Sequence, residues 1–134
     1  MKKLLLSLAV LSLSGCALVD AYFMAKYDTN EYALINNVKT RAEVAQEHCN
    51  NHMMVVADVN DLYFKTLELK NFTTNIPRNK DAVAMSSKLF DITKETREYY
   101  NKNEKVSEMY CKIKFQQISK SADTIQNVLG SKPR

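Results

Sequence analysis

Glycine and proline are scarce in this 134-residue chain, and their scarcity constrains the fold more than any other feature of the sequence. Each occurs twice, as Gly15, Gly130, Pro77 and Pro133. Sheets and phosphate-binding loops need glycine where the backbone turns tightly or approaches a ligand closely. Long stretches without either residue favour helices. The sequence therefore predicts an all-α protein, either a long antiparallel helical hairpin or a small three-helix bundle.

Apolar residues recur at alternating steps of three and four, which is the spacing of one helix face. The first such stripe comprises Ile35, Val38, Ala42, Ala45, Cys49, His52, Val56, Val59 and Tyr63. It predicts a single helix from about Asp28 to about Lys70, in which Asn50-Asn51 is the weakest point by propensity. Asp28 is expected to cap the first turn while Glu31 reaches back to it.

Two further stripes predict the helices of the second half. One comprises Met85, Leu89, Ile92, Thr96, Tyr99, Asn103 and Val106, and the other comprises Cys111, Phe115, Ile118, Ala122, Ile125 and Leu129. Because they do not share a phase, we expect a kink or break near residues 101–105, with Asn101 and Glu104 as a cap. Residues 71–79 are predicted to form the connection from the first helix. Gly130 is expected just past the last helix.

The N-terminus carries the features of a secretory segment. A basic pair, Lys2-Lys3, precedes an apolar run over residues 4–13 that is shorter than the roughly 20 residues needed to span a bilayer. The run ends in Leu13-Ser14-Gly15-Cys16, which resembles the lipobox of bacterial lipoprotein precursors. The resemblance covers residues 1–16 and identifies no family for the remainder. It implies diacylglycerol and a fatty acid on Cys16, a stable membrane anchor.

The resemblance also implies an organisation and a location. The expected units are a signal peptide (residues 1–15), a lipidated N-terminus and tether (16–27), a helical domain (28–130) and a flexible tail (131–134). The protein is expected in the cell envelope. In a host with two membranes, Ala17 implies the outer membrane, because enteric lipoproteins kept in the inner membrane have aspartate there. Tyr22, Phe23 and Tyr27 lie near the anchor, where aromatic side chains favour the membrane interface.

The charge of the chain argues against nucleic acid as a partner. Removal of residues 1–15 takes away Lys2 and Lys3 and leaves 17 basic and 15 acidic side chains, a formal charge of +2. No block of like charges follows. The expected partners are therefore the membrane, through the lipid, and an envelope protein of unknown identity. The sequence is also compatible with a homo-oligomer.

Cys49 and Cys111 remain once Cys16 carries lipid, and an even pair in an oxidising compartment predicts a disulfide. Both lie on apolar stripes and are expected to point inward. Two buried thiols or a bond between chains are the alternatives. If the chain turns only between Lys70 and Lys80, Cys49 lies opposite about residue 101. Cys111 is then roughly 15 Å away along the axis, so the bond requires a different helix register.

His48 and His52 are the weak candidates for a metal site. Histidines at i and i+4 of one helix share a face, and the neighbouring Met53 and Met54 offer soft donors. No further histidine exists to complete a site, a disulfide removes Cys49 as a ligand, and His52 lies on the predicted core stripe. The sequence therefore predicts no metal site and no cofactor other than the covalent lipid.

No arrangement of residues predicts catalysis, and the acidic pairs have the spacing of a solvated helix face. The leading interpretation is a membrane-anchored envelope lipoprotein that acts as a non-enzymatic structural or protein-binding module. One alternative is a phage- or plasmid-encoded exclusion lipoprotein that blocks a receptor or entry machine. Another is a periplasmic metal-binding lipoprotein that uses His48 and His52.

Overall fold

A computed structural model describes residues 24–134 and contains four α-helices, with no strand in this range. The helices are α1 (Thr29–Ala45), α2 (His52–Thr74), α3 (Lys80–Lys102) and α4 (Glu108–Gly130). A short 3₁₀ turn, Gln46–His48, follows α1. The main pairings are α1 with α4 and α2 with α3, and α1 also contacts α2 while α3 contacts α4. The described residues are all-α, as predicted, but they form four helices where the sequence predicts two or three.

Successive helices run antiparallel. In the α2–α3 pair, the hydroxyl oxygens of Thr66 and Thr93 lie 2.6 Å apart and those of Thr73 and Ser86 lie 2.8 Å apart. Later residues of α2 therefore meet earlier residues of α3. Hydrogen bonds between α1 and α4 follow the same order. The result is an up-down-up-down bundle with short connections at both ends.

The single helix predicted from Asp28 to Lys70 is wrong. The chain leaves α1 at Ala45, passes through the 3₁₀ turn and reverses before His52. Asn51 adopts extended backbone angles, and its side chain accepts a hydrogen bond from the Met54 amide at 3.2 Å, which makes it the N-cap of α2. Asparagine favours such caps over helix interiors. The low helix propensity of Asn50-Asn51 thus indicated where the helix ends, but it did not predict that the chain reverses direction there.

The reversal restarts the helical phase, so the predicted stripe is correct as far as Cys49 and beyond it only at Val59. The positions from Ile35 to Cys49 are buried, whereas His52 is exposed and Val56 and Tyr63 are half-buried. The buried face of α2 instead comprises Val55, Val59, Leu62, Thr66, Leu69 and Thr73. The prediction that His52 lies in the core is therefore wrong.

The two later stripes differ in accuracy. Every residue predicted for α4 is buried, from Cys111 to Leu129. The buried face of α3 is rotated relative to the predicted stripe and shares only Leu89 and Thr96 with it. It comprises Ala82, Ser86, Leu89, Phe90, Thr93, Thr96 and Tyr100. A break between α3 and α4 is confirmed, but its cap is Ser107, whose hydroxyl accepts from the Tyr110 amide at 3.1 Å, and not Asn101.

The end of α4 also differs from the prediction. Gly130 is the last helical residue and has no positive φ, so it does not occupy the position beyond the helix. A Cβ at Gly130 would lie 3.3 Å from the Tyr32 ring, which indicates close helix packing. Residues 131–134, predicted to be a flexible tail, pack on the bundle. Lys132 is only 7% exposed, and the Tyr27 amide donates to the Pro133 carbonyl at 2.9 Å.

Candidate functional site

The Cys49–Cys111 disulfide closes one end of the bundle. The two sulfurs are bonded, and the α-carbons are 5.6 Å apart, within the usual range for a disulfide. Cys49 follows the 3₁₀ turn after α1, and Cys111 lies in the first turn of α4. The reversal at residues 46–51 brings both cysteines to the same end, which resolves the register conflict. We call this region, with the connections 46–51 and 103–107, the disulfide end.

The structure separates His48 and His52, the two weak candidates for a metal site. His48 ends the 3₁₀ turn and His52 begins α2, so they do not share one helix face. His48 Nδ1 lies 2.7 Å from an oxygen of Asp58, while the His52 ring packs 6.1 Å from the Tyr100 ring centre. Within residues 24–134 no cluster of three or more His, Cys, Asp or Glu side chains is arranged to hold a metal.

Three tyrosines pack together beside the disulfide. The rings of Tyr99 and Tyr110 stack with centres 4.4 Å apart, and Tyr100 lies 6.3 Å from both. Burial, followed by the neighbouring tyrosines, raises the pKa of Tyr100 to about 12. Burial also raises the pKa of Tyr110. The periodicity placed Tyr99 in the core, but the structure buries Tyr100 and leaves Tyr99 40% exposed.

Exposed apolar side chains surround this end. Met53 is 82% exposed and Met109 is 73% exposed, at the second residues of α2 and α4 respectively. The remaining members are Val44, Met54, Tyr99 and Ile113. Methionine is flexible and polarizable, and it is common on surfaces that bind other proteins. Helical periodicity gives no signal for Val44, Met53, Met54, Met109 and Ile113, because they lie off the predicted stripes, and it wrongly predicts Tyr99 in the core.

A buried polar network closes the opposite end. Lys132 Nζ donates to Glu31 and to Asn79, both at 2.6 Å, and Asn79 Nδ2 donates to Glu31 at 2.6 Å. All three side chains are buried. The network joins the start of α1, the α2–α3 connection and the segment after α4. We call this region, with residues 24–28, the network end.

The start of α1 was partly predicted. Asp28 accepts hydrogen bonds from the amides of Asn30 and Glu31 at 2.8 and 2.9 Å, which confirms it as the N-cap. The prediction that Glu31 reaches back to Asp28 is wrong, because the Glu31 carboxylate turns inward to Asn79 and Lys132. No local pattern signals this pairing, since its members are 48 to 101 residues apart along the chain.

The network end also holds an open cavity of about 510 Å³. Its apolar lining comes from Met24, Ala25, Ala82 and Val128, and its polar lining from Arg78, Asn79, Lys80, Asp81 and Lys132. Arg78 adopts a φ of 61°, the only positive φ among non-glycine residues in the described range. Its carbonyl accepts a hydrogen bond from the Ala25 amide at 3.2 Å, which ties the N-terminal segment to this turn.

Cys16, Ala17, Tyr22 and Phe23 lie outside the described residues, so the predictions made for them stay predictions. Tyr27 is described, and its ring packs 5.8 Å from Tyr32 and beneath the Arg134 guanidinium. Over residues 24–134, no helix is both long and apolar enough to cross a membrane.

Comparison of the chain with protein-family models, curated proteins and solved structures found no match.

Proposed function

We propose that the chain is a lipid-anchored protein of the bacterial cell envelope that binds another protein through its disulfide end. The anchor is inferred from the lipobox at Leu13-Ser14-Gly15-Cys16. The Cys49–Cys111 bond supports an oxidising compartment outside the cytoplasm. Ala17 favours the outer membrane in a host with two membranes.

The observation that carries the binding proposal is the position of the exposed methionines. The chain enters the bundle at the network end, where Ala25 and Tyr27 form backbone hydrogen bonds. The disulfide end is one helix length away, and the 23 residues of α2 span about 35 Å. A lipid on Cys16 therefore leaves Met53 and Met109 pointing away from the bilayer, where a second protein has access.

A crosslinking experiment in intact cells tests the binding surface. A photoreactive phenylalanine analogue in place of Met109 should form one discrete adduct with an envelope protein, which mass spectrometry identifies. The same analogue at Thr124, an exposed position further along α4, is the matched control. Met53→Asp should abolish the Met109 adduct. Adducts of equal yield from both positions, or none from Met109, would contradict the proposal.

The anchor has its own test. Cys16→Ser should prevent lipidation and leave an unprocessed precursor, because the thiol accepts the diacylglyceryl group. Density-gradient separation of membranes should place the wild-type protein in the outer membrane of a diderm host. Normal processing and membrane association of the variant would refute the anchor, and inner-membrane sedimentation of the wild type would refute the assignment from Ala17.

A further inference from the structure

We infer that the network end is a membrane-facing surface that binds the headgroups of anionic phospholipids, with Arg78 as its main contact. This inference rests on the lipid anchor proposed above and adds a second, electrostatic contact with the same bilayer. Four observations support it: the entry point of the chain, the charge of this end, the backbone of Arg78 and the lining of the cavity.

The entry point limits how far the network end can lie from the bilayer. Eight residues, Cys16 to Phe23, separate the proposed lipid from the first described residue, Met24. Eight residues reach at most about 29 Å when fully extended. The Ala25 amide is hydrogen-bonded to the Arg78 carbonyl, so the α2–α3 turn is held beside the point where the tether begins.

The two ends of the bundle differ in exposed charge. At the network end the exposed basic side chains are Lys26, Arg78, Lys80 and Arg134, and the acidic ones outside the buried network are the half-buried Asp28 and the exposed Asp81. Asp28 is already engaged as the α1 cap. The side chains of Lys132 and Glu31 neutralise each other. The network end is therefore basic.

The disulfide end shows no such excess. Its exposed ions near the two connections are Glu47, Lys102, Glu104 and Lys105, together with the paired Glu108 and Lys112. Basic and acidic side chains are close to balance there. An anionic surface therefore attracts the network end and not the opposite end.

Arg78 occupies a backbone conformation that glycine adopts more easily. A φ of 61° is costly for a residue with a β-carbon. Asparagine and glycine are the usual residues at such turns. The Arg78 side chain is exposed, although its carbonyl is used by Ala25. The hydrogen bond from Ala25 uses only the backbone of residue 78 and does not require arginine. The exposed guanidinium of Arg78 is therefore free to contact a ligand.

The cavity at this end has two kinds of lining. Met24, Ala25, Ala82 and Val128 supply apolar surface. Beside it, Arg78 and Lys80 supply positive charge that outnumbers the single exposed carboxylate, Asp81. A guanidinium forms paired hydrogen bonds with phosphate oxygens. A phospholipid at a bilayer surface presents a phosphate next to apolar chains, which fits this pairing of charge and apolar surface.

Tryptophan fluorescence of the full lipidated protein tests the inference, because the chain contains no tryptophan. Met24→Trp places a single reporter at the cavity, and Met109→Trp places the control reporter at the disulfide end. Each protein is reconstituted in vesicles of brominated phosphatidylcholine, with and without phosphatidylglycerol. Bromine should quench the cavity reporter more strongly in the anionic vesicles, and salt should reverse the increase. The control reporter should remain unquenched in both.

Substitutions at Arg78 separate lipid contact from folding. Arg78→Gly in the Met24→Trp protein should lower the ratio of docked to undocked protein about fivefold, the effect of one basic side chain near an anionic surface. Its melting temperature should stay the same or rise, since glycine accepts the positive φ. Lys102→Gln removes one exposed charge from the other end and should change neither property. Arg78→Lys should retain most of the docking.

The other outcomes of these experiments distinguish the headgroup contact, the lipid anchor and a soluble anion from one another. Equal quenching of the cavity reporter in neutral and anionic vesicles, or docking unaffected by Arg78→Gly, would overturn the headgroup contact alone. Failure of the protein to partition into either vesicle would overturn the lipid anchor and this inference with it. Inorganic phosphate at matched ionic strength should leave the quenching unchanged, and displacement by phosphate would assign the surface to a soluble anion instead.

Discussion

The two ends of the bundle are closed by different kinds of interaction. At the disulfide end a covalent bond joins Cys49 to Cys111, and apolar side chains around it remain exposed. At the network end Lys132, Glu31 and Asn79 are buried and hydrogen-bonded to one another. A disulfide acts mainly by restricting the unfolded chain. A buried ion pair instead depends on every partner being present in the folded state.

This difference explains how each end can be used. Because the covalent bond holds the 46–51 connection to the first turn of α4, the surface beside it can keep exposed methionines without loss of the fold. The network end depends on the packing of residues 24–28 and 131–134, and its exposed charged side chains are mostly basic. This difference supports the two proposals made above, a protein partner at the disulfide end and the membrane at the network end.

Removal of the disulfide should have the largest effect on stability. The bond spans 62 residues, for which the chain-entropy model gives about 4 kcal/mol. Cys49→Ser and Cys111→Ser should therefore lower the free energy of unfolding by similar amounts in urea denaturation. The double variant should lose no more than either single variant, because both remove the same bond. Additive losses would show that the cysteines act separately.

Disruption of the polar network should come next. Lys132→Met leaves the buried Glu31 without its cationic partner and should cost about 3 kcal/mol. Adding Glu31→Leu should recover much of this loss, since no charge then remains buried. Lys112→Met removes an exposed pair with Glu108 and is the control, with an expected loss of about 0.5 kcal/mol or less. Equal losses for the two lysine variants would contradict the role of burial.

The contrast between the ends also shows what sequence patterns can predict. The stripe of α4 was correct throughout, because one uninterrupted helix keeps its phase from Cys111 to Leu129. The disulfide followed from an even number of buried cysteines. The reversal at residues 46–51 could not be predicted from the sequence, because the apolar spacing across Cys49 fits a continuous helix equally well. Only packing of α1 on α2 and α4 decides between these structures.

The network end was harder to predict for a different reason. A lysine close to the last residues, such as Lys132, is ordinarily expected in solvent. Its partners Glu31 and Asn79 are 101 and 53 residues away in the sequence. Local patterns carry no information on contacts over such distances. The Asp28 cap, which is local, was correctly predicted.

The tyrosines of the disulfide end provide a pH test. The pKa of Tyr100 is raised to about 12 by burial, above the usual value of about 10 in the unfolded chain. The unfolded state therefore loses its proton first, and stability should fall as the pH rises from about 10 to 12. Tyr100→Phe should flatten this decline and remove the highest step from the ultraviolet titration of tyrosine. Tyr99→Phe should leave that step in place.

The smallest expected effect is at Gly130. Replacement of glycine by alanine within a helix gains roughly 0.5 kcal/mol, but the new Cβ would lie 3.3 Å from the Tyr32 ring. The half-buried ring needs to shift only slightly, so Gly130→Ala should stabilise the protein by that small amount in thermal denaturation. A loss of stability would show that the Tyr27–Tyr32 packing at the network end is rigid.

Mass spectrometry of unreduced protein isolated from membranes tests the central claim most directly. Trypsin should release residues 16–26 as the first peptide, with Cys16 carrying diacylglycerol and a fatty acid, and join residues 42–65 to residues 106–112 through Cys49 and Cys111. Both features in the same preparation are the predicted result. An unmodified Cys16 within its precursor peptide, or free thiols at Cys49 and Cys111, would contradict a disulfide-closed bundle anchored by lipid.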